Sequence, residues 1–211
     1  MTRKSKKKRR KSTSNKCDTI FGANKVYCMC KPISNIREKT AQDLIEYCGQ
    51  TEYVPIDLRA MLTKLQISCL SRDFSEIEKV LDEGENNPIL GALVTNGDNA
   101  VIYIRQQDKE NSHRYRFTIA HELAHACLGH YPIGKTSVHL RREISGNDQQ
   151  EYAANVFAGQ LLIPQKTLER VISELLFPSV QILAEVFEVS ENVMKARLDQ
   201  LEISRKIVGY N

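Results

Sequence analysis

Residues 121–130 read His121-Glu122-Leu123-Ala124-His125-Ala126-Cys127-Leu128-Gly129-His130. On a helix of 3.6 residues per turn, His121 and His125 stand one turn apart on the same face, so two imidazoles can share one metal ion. Glu122 lies beside that face, where a carboxylate can take a proton from water. The neighbours argue against a solvated surface helix: Phe117, Ile119, Ala120, Leu123, Ala124, Ala126, Cys127 and Leu128 make the segment apolar nearly all round. Burying a glutamate and two imidazoles is costly unless they are paired or bound to metal. The stretch therefore predicts a buried helix from about Arg114 to Leu128, capped by Ser112 or Asn111, ended by Gly129, and carrying a His-Glu-x-x-His metal site.

Outward toward the N-terminus, Ile89–Thr95 and Ala100–Ile104 are β-rich runs separated by Asn96-Gly97-Asp98-Asn99, a hairpin signal. They predict a small antiparallel sheet, whose edge beside the metal helix could hold an extended peptide by strand addition. Upstream, Ile36, Ala41, Leu44, Ile45 and Cys48 recur at helical spacing before Gly49. Asp57 is an N-cap for a short helix carrying Leu58, Met61, Leu62 and Leu65. Ile67–Leu70 reads as a strand, and Ser75-Glu76-Ile77-Glu78 as a capping box for a helix ended by Gly84.

Toward the C-terminus, residues 131–147 read as a loop, long enough to border a cleft. Asp148–Leu162 is the next helix, closed by Pro164. Leu168, Val171, Ile172, Leu175 and Leu176 form a further apolar stripe. Ser179 caps Val180–Phe187, and Val189-Ser190 leads into Glu191–Leu201, two short helices with a tight turn that resemble a helix-turn-helix. Lys195, Arg197, Arg205 and Lys206 there are interspersed with Glu185, Glu188, Glu191, Asp199 and Glu202, a poor electrostatic footprint for DNA. Nucleic acid is thus a disfavoured partner.

The chain has 211 residues and a formal charge of +4. Nine of its 30 basic residues fall within residues 1–16, where there is no acid, leaving 21 basic against 26 acidic residues and a mildly acidic remainder. Those 16 residues have almost nothing to bury and no aromatic residue among their charges, so a disordered, solvated leader is expected. No apolar run approaches the roughly 18 residues that span a membrane, and no apolar segment follows the basic stretch as in a signal peptide. Six cysteines (Cys17, Cys28, Cys30, Cys48, Cys69 and Cys127) follow no disulfide framework. The expectation is a soluble cytoplasmic protein with reduced thiols and no membrane partner. Cys17, Cys28 and Cys30 do not have the spacing of a zinc knuckle.

A catalytic zinc usually has three protein ligands and an open position. His130, His139, Glu143, Asp148 and Glu151 are the downstream candidates for the third. Glu151 opens Glu151-Tyr152-Ala153-Ala154-Asn155, so Glu151 and Asn155 share a helix face at i and i+4, and the amide can orient a ligand.

Four blocks together resemble the ImmA/IrrE family of metallopeptidases. They are Arg116–His125 with His130, Glu151-x-x-Ala154-Asn155-x-Phe157-Ala158, Leu161-Leu162-Ile163-Pro164, and Leu183-Ala184-x-x-Phe187-x-Val189-Ser190 with Arg197-Leu198. The likeness spans roughly residues 35–204. Ala153 stands where many members carry a second acidic residue, which leaves Glu151 as the acid of its block. The resemblance implies an α+β fold with a zincin-like helical core, a small antiparallel sheet and a helical, helix-turn-helix-like C-terminal region. It implies Zn2+ held by His121, His125 and Glu151, with Glu122 as catalytic base and Asn155 and His130 in support. The expected organisation is a disordered basic leader (1–33), a zinc metallopeptidase domain (34–165) and the C-terminal helical region (166–211). The expected function is regulatory endoproteolysis of a helix-turn-helix transcriptional repressor, in a mobile genetic element or a stress response. The alternative is a DNA-binding or stress-sensing regulator that keeps a zincin fold with little proteolytic turnover. His130, Tyr131, His113 and Tyr152 are the candidates for stabilising the oxyanion.

Overall fold

A computed structural model of the chain describes residues 33–81, 87–96, 99–108, 112–132, 135–142, 149–204, 207–208 and 210. Residues 1–32 with Cys17, Cys28 and Cys30, together with Gly84, Gly97, Asp98, Asn111, Glu143, Asp148, Arg205 and Lys206, lie outside the described residues. After a 3-10 turn at Ile33–Ile36 come α1 (Ala41–Cys48), α2 (Leu58–Leu65), β1 (Ser68–Arg72) and α3 (Ser75–Val80). The hairpin strands β2 (Ile89–Asn96) and β3 (Asn99–Arg105) precede α4 (His113–Leu128) and β4 (Ser137–Arg142). Four helices follow: α5 (Gln149–Leu162), α6 (Gln165–Glu174), α7 (Val180–Phe187) and α8 (Glu191–Gln200).

Local chemistry sets most of these ends. Asp57 Oδ1 accepts from the Ala60 N–H at 2.9 Å, Ser112 Oγ from Tyr115 at 3.2 Å, and Ser179 Oγ from Ile182 at 3.3 Å. Gly49 and Gly129 close α1 and α4 at φ 70° and 71°, where glycine avoids the Cβ penalty. The capping box at Ser75 does not form. Phe74 occupies the N-cap without a side-chain bond, and Asp73 Oδ1 accepts from the Ser75 N–H and hydroxyl at 2.9 and 2.6 Å instead. Glu78 turns to the sheet, where it accepts from the Ile89 N–H at 2.6 Å and pairs with Arg105. A reciprocal box between Thr40 and Asp43 starts α1.

The sheet runs in the order β1-β3-β2-β4. It is α+β in kind as expected, but mixed rather than wholly antiparallel. β2 pairs antiparallel with β3 and β4, while β1 lies parallel to β3 with Ser68 opposite Val101. A parallel pair requires a crossover, which the segment from α3 through the hairpin supplies. The second difference is β4, which lies within residues 131–147, expected to be loop. Its sequence Ser-Val-His-Leu-Arg-Arg offers two apolar residues, and its strand conformation comes from pairing with β2, a long-range partner that local pattern does not reveal.

β2 is buried on both faces. On one face Leu93 joins the main core with α1, α2, α4 and the C-terminal helices. On the other, Ile89 and Ala92 pack with Phe74 and Ile77 beneath α3. The main core continues without a break from Leu44 and Leu123 to Leu168, Leu183, Phe187, Met194 and Leu198, so the C-terminal helices share it with the metal helix. Arg116 reinforces that continuity by donating to the Ile56 carbonyl at 3.0 Å and pairing with Glu188 at 3.3 Å. Leu176 departs from its expected stripe: α6 ends at Glu174, and Leu176 is 90% exposed.

Candidate metal centre

The centre is built where α4 crosses α5. Close approach between α4 and the sheet depends on Gly91 of β2: a Cβ there would come within 2.5 Å of Thr118 Cγ2 and 3.1 Å of the Tyr103 carbonyl oxygen. The C-terminal end of α4 is clasped by Arg37, whose guanidinium donates to the Gly129 and Tyr131 carbonyls at 3.1 and 3.3 Å. A cation at that position also complements the helix dipole.

His121 and His125 extend from α4 toward Glu151 in the first turn of α5. Their Nε2 atoms are 3.0 Å apart, and they lie 3.2 and 3.3 Å from Glu151 Oε2 and Oε1 respectively. All three residues are buried, and one ligand atom from each falls within 4.8 Å of the others. His139 of β4 comes near, with Nδ1 3.7 Å from Glu151 Oε1 and its ring 4.0 Å from that of His125, but it is outside that ligand set. His130, another candidate ligand, meets the back of His125 instead, Nδ1 to Nδ1 at 2.9 Å. Asn155 meets His121 in the same way, its Oδ1 2.9 Å from His121 Nδ1.

These outer contacts set the tautomers. An amide oxygen can only accept, so His121 Nδ1 carries the proton and its Nε2 presents a lone pair. When His125 donates through Nδ1 to His130, its Nε2 does likewise. Two lone pairs and a carboxylate then converge with no donor among them, an arrangement that a cation resolves. Two imidazole nitrogens and a carboxylate oxygen form a donor set that suits zinc. The residues fit the metal.

Burial holds His121 down to about 4, so at neutral pH it is uncharged and able to ligate. Burial alone would raise the Glu151 carboxyl, but hydrogen bonds and positive charge from His121 and His125, when these carry the proton in metal-free protein, outweigh it and hold it well below the usual carboxylate range. Glu122 is the opposite case. It is 0% exposed, and neither carboxylate oxygen has a hydrogen-bond partner among the described residues. Burial pushes it up to about 8, with Arg141 partly opposing the rise. A carboxyl poised near neutrality can both take and return a proton.

Three contributors escaped the sequence reading. Arg141 of β4 donates to Thr118 Oγ1 at 2.6 Å and lies 4.9 Å from the Phe117 ring centre, bringing positive charge beside Glu122. It was hidden because its strand was hidden. Arg37 and Gly91 act through the packing of distant segments, which no local signal announces.

Among the oxyanion candidates, Tyr131 is buried beneath Arg37. His113 begins α4, eight residues and about 12 Å from His121. His130 is engaged with His125. Tyr152 follows Glu151 directly and is 72% exposed.

A family model named Peptidase_M78, described as the IrrE N-terminal-like domain, matches residues 78–199, more than half of the chain. No curated protein and no solved structure matches it.

Proposed function

The chain belongs to the IrrE N-terminal-like peptidase family, and on that footing we propose that it is a zinc-dependent endopeptidase that cleaves a helix-turn-helix transcriptional repressor. One observation carries the reading: His121, His125 and Glu151 converge beside the buried carboxyl of Glu122, which has no hydrogen-bond partner among the described residues. His121, His125 and Glu151 would hold the zinc, while Asn155 and His130 fix the imidazole orientations. Zinc bound there supplies a Lewis acid that polarises a carbonyl and makes water more acidic. Glu122 accepts a proton as water attacks the carbonyl carbon, then delivers it to the amine nitrogen as the C–N bond breaks. Tyr152, exposed next to Glu151, is the residue we assign to the developing oxyanion. β4 borders the cluster at the end of the sheet, where an extended peptide can pair with its backbone.

The repressor as substrate, and a role in a mobile element or stress response, rest on the family likeness. A cytoplasmic site of action is supported by Cys48 and Cys127, which form no disulfide among the described residues. Among the described residues no helix is long and apolar enough to cross a membrane. The rival reading, a DNA-binding regulator, would place α8 in the major groove. The exposed positions of α8 are Glu191, Asn192, Ala196, Asp199 and Gln200, two acids and no base, which disfavours phosphate contact.

The deciding experiment incubates the zinc-loaded protein with purified helix-turn-helix repressors. Zinc-dependent cleavage that is absent with Glu122→Gln supports the endopeptidase. Tight sequence-specific DNA binding without cleavage would favour the regulator.

A further inference from the structure

Asn155, whose amide oxygen steadies His121, is also part of the wall of a cavity of about 330 Å³ between α5 and α8. Phe117 of α4 and Tyr152 and Gly159 of α5 line it with Asn155, while α8 contributes Asn192, Ala196 and Gln200. The cavity adjoins the metal centre. The Phe117 ring lies 6.5 Å from that of His121, and Tyr152 follows Glu151 in the chain.

Gly159 gives the cavity its meaning. Glycine inside a helix costs about 1 kcal/mol relative to alanine, and a packed neighbour usually accounts for it. Here a Cβ would meet nothing within 4 Å among the described residues. No steric conflict requires the glycine, and its effect is to leave space beside the centre. On the opposite side, Asn192, Ala196 and Gln200 repeat at i, i+4 and i+8, with Val193 and Arg197 beside them, and the Arg197 guanidinium is already engaged by the Ile163 carbonyl at 3.0 Å and Gln200 Oε1 at 2.6 Å. The helix that by sequence resembles a DNA reader instead borders the candidate active site.

We propose that this cavity is a specificity subsite that receives one bulky apolar side chain of the peptide substrate, with α8 as the wall that reads it. The proposal rests on the endopeptidase reading. The volume falls at the small end of ligand pockets, ample for one aromatic side chain and its flanking backbone. The helix-turn-helix-like region thereby selects a protein substrate rather than a nucleic acid.

The test uses the full zinc-loaded chain and a synthetic peptide library in which each position is varied among Ala, Leu and Phe. Wild type is expected to prefer Leu or Phe over Ala at one position near the cleaved bond. Gly159→Leu and Ala196→Leu, which fill the cavity from opposite walls, should each reduce that preference by about 10- to 100-fold. The same peptides, bound to inactive Glu122→Gln protein and followed by fluorescence anisotropy, should show the same preference and the same loss. Ala196 is exposed, so its variant decides the matter if Gly159→Leu does not fold. Cleavage by wild type without a size preference, or a preference that both filled variants keep, overturns the subsite and leaves the peptidase intact. A library that wild type never cleaves in a zinc- and Glu122-dependent way overturns the peptidase reading, and the subsite falls with it.

Discussion

α4 and α8 border one cavity but carry their polar residues differently. On α4, Thr118, His121, Glu122 and His125 are all buried, so each must be matched by a partner or a metal. On α8, Asn192, Asp199 and Gln200 are exposed, Met194 and Leu198 make the buried apolar contacts, and Arg197 is the buried polar residue, donating to the Ile163 carbonyl at 3.0 Å. Groups withdrawn from water interact strongly and tolerate little displacement. Groups left in water interact weakly and act through shape. Chemistry on α4 is thus confined to a fixed motif, whereas recognition on α8 can be carried by several residue combinations.

The largest effect that would break this contrast is at Glu122. Glu122→Gln is expected to lower kcat by about 10²- to 10⁴-fold without reducing zinc content, as measured by peptide cleavage and elemental analysis. A variant that stays active would remove Glu122 from the chemistry.

Next come the ligands and their supports. His125→Ala and Glu151→Ala should weaken zinc binding by more than the roughly 10- to 100-fold expected for Asn155→Ala, whose loss only frees the His121 ring. Competition titration with a chelator ranks the three. Full zinc retention in Glu151→Ala would reassign the third ligand.

Stability moves the other way at the same site. In metal-free protein the Glu122 carboxyl is raised from 4.5 to about 8 by burial. The folded state therefore keeps a proton that the unfolded chain releases, and stability falls as pH rises through that interval. Glu122→Gln removes this slope. At pH 7 the metal-free variant should melt roughly 10 °C higher, corresponding to about 3 kcal/mol, and the difference should vanish below about pH 4.5. An unchanged melting curve would mean that Glu122 is better solvated than its burial indicates.

Gly91→Ala tests the support beneath α4. With Thr118 Cγ2 at 2.5 Å from the added carbon, a loss of about 1–3 kcal/mol is expected in thermal unfolding. The smallest effect is on α8, where Asn192→Ala should leave stability within about 0.5 kcal/mol of wild type and zinc affinity unchanged. A large change in either would show that α8 supports the centre rather than only bordering it.

The opening motif was legible in the sequence because its requirements are local. One helical turn aligns His121 with His125, Gly129 ends the helix, and the apolar residues around them declare that the helix is buried. Glu151 and Asn155 were legible for the same reason, since four residues on a helix share a face, although it took the family likeness to choose Glu151 among five candidates. The hairpin and the serine and aspartate caps likewise depend on neighbours a few residues away. What tertiary structure decided is whatever depends on partners far along the chain. β4 is a strand because β2 lies beside it, and β1 is parallel to β3 because of the crossover between them. Arg141 and Arg37 reach the site across 23 and 92 residues of sequence, to Thr118 and Gly129. The open space beside Gly159 exists because α8 stands opposite α5 at a distance that no periodicity records. Sequence spacing specifies which groups a single helix presents together, and only packing between elements determines what they face.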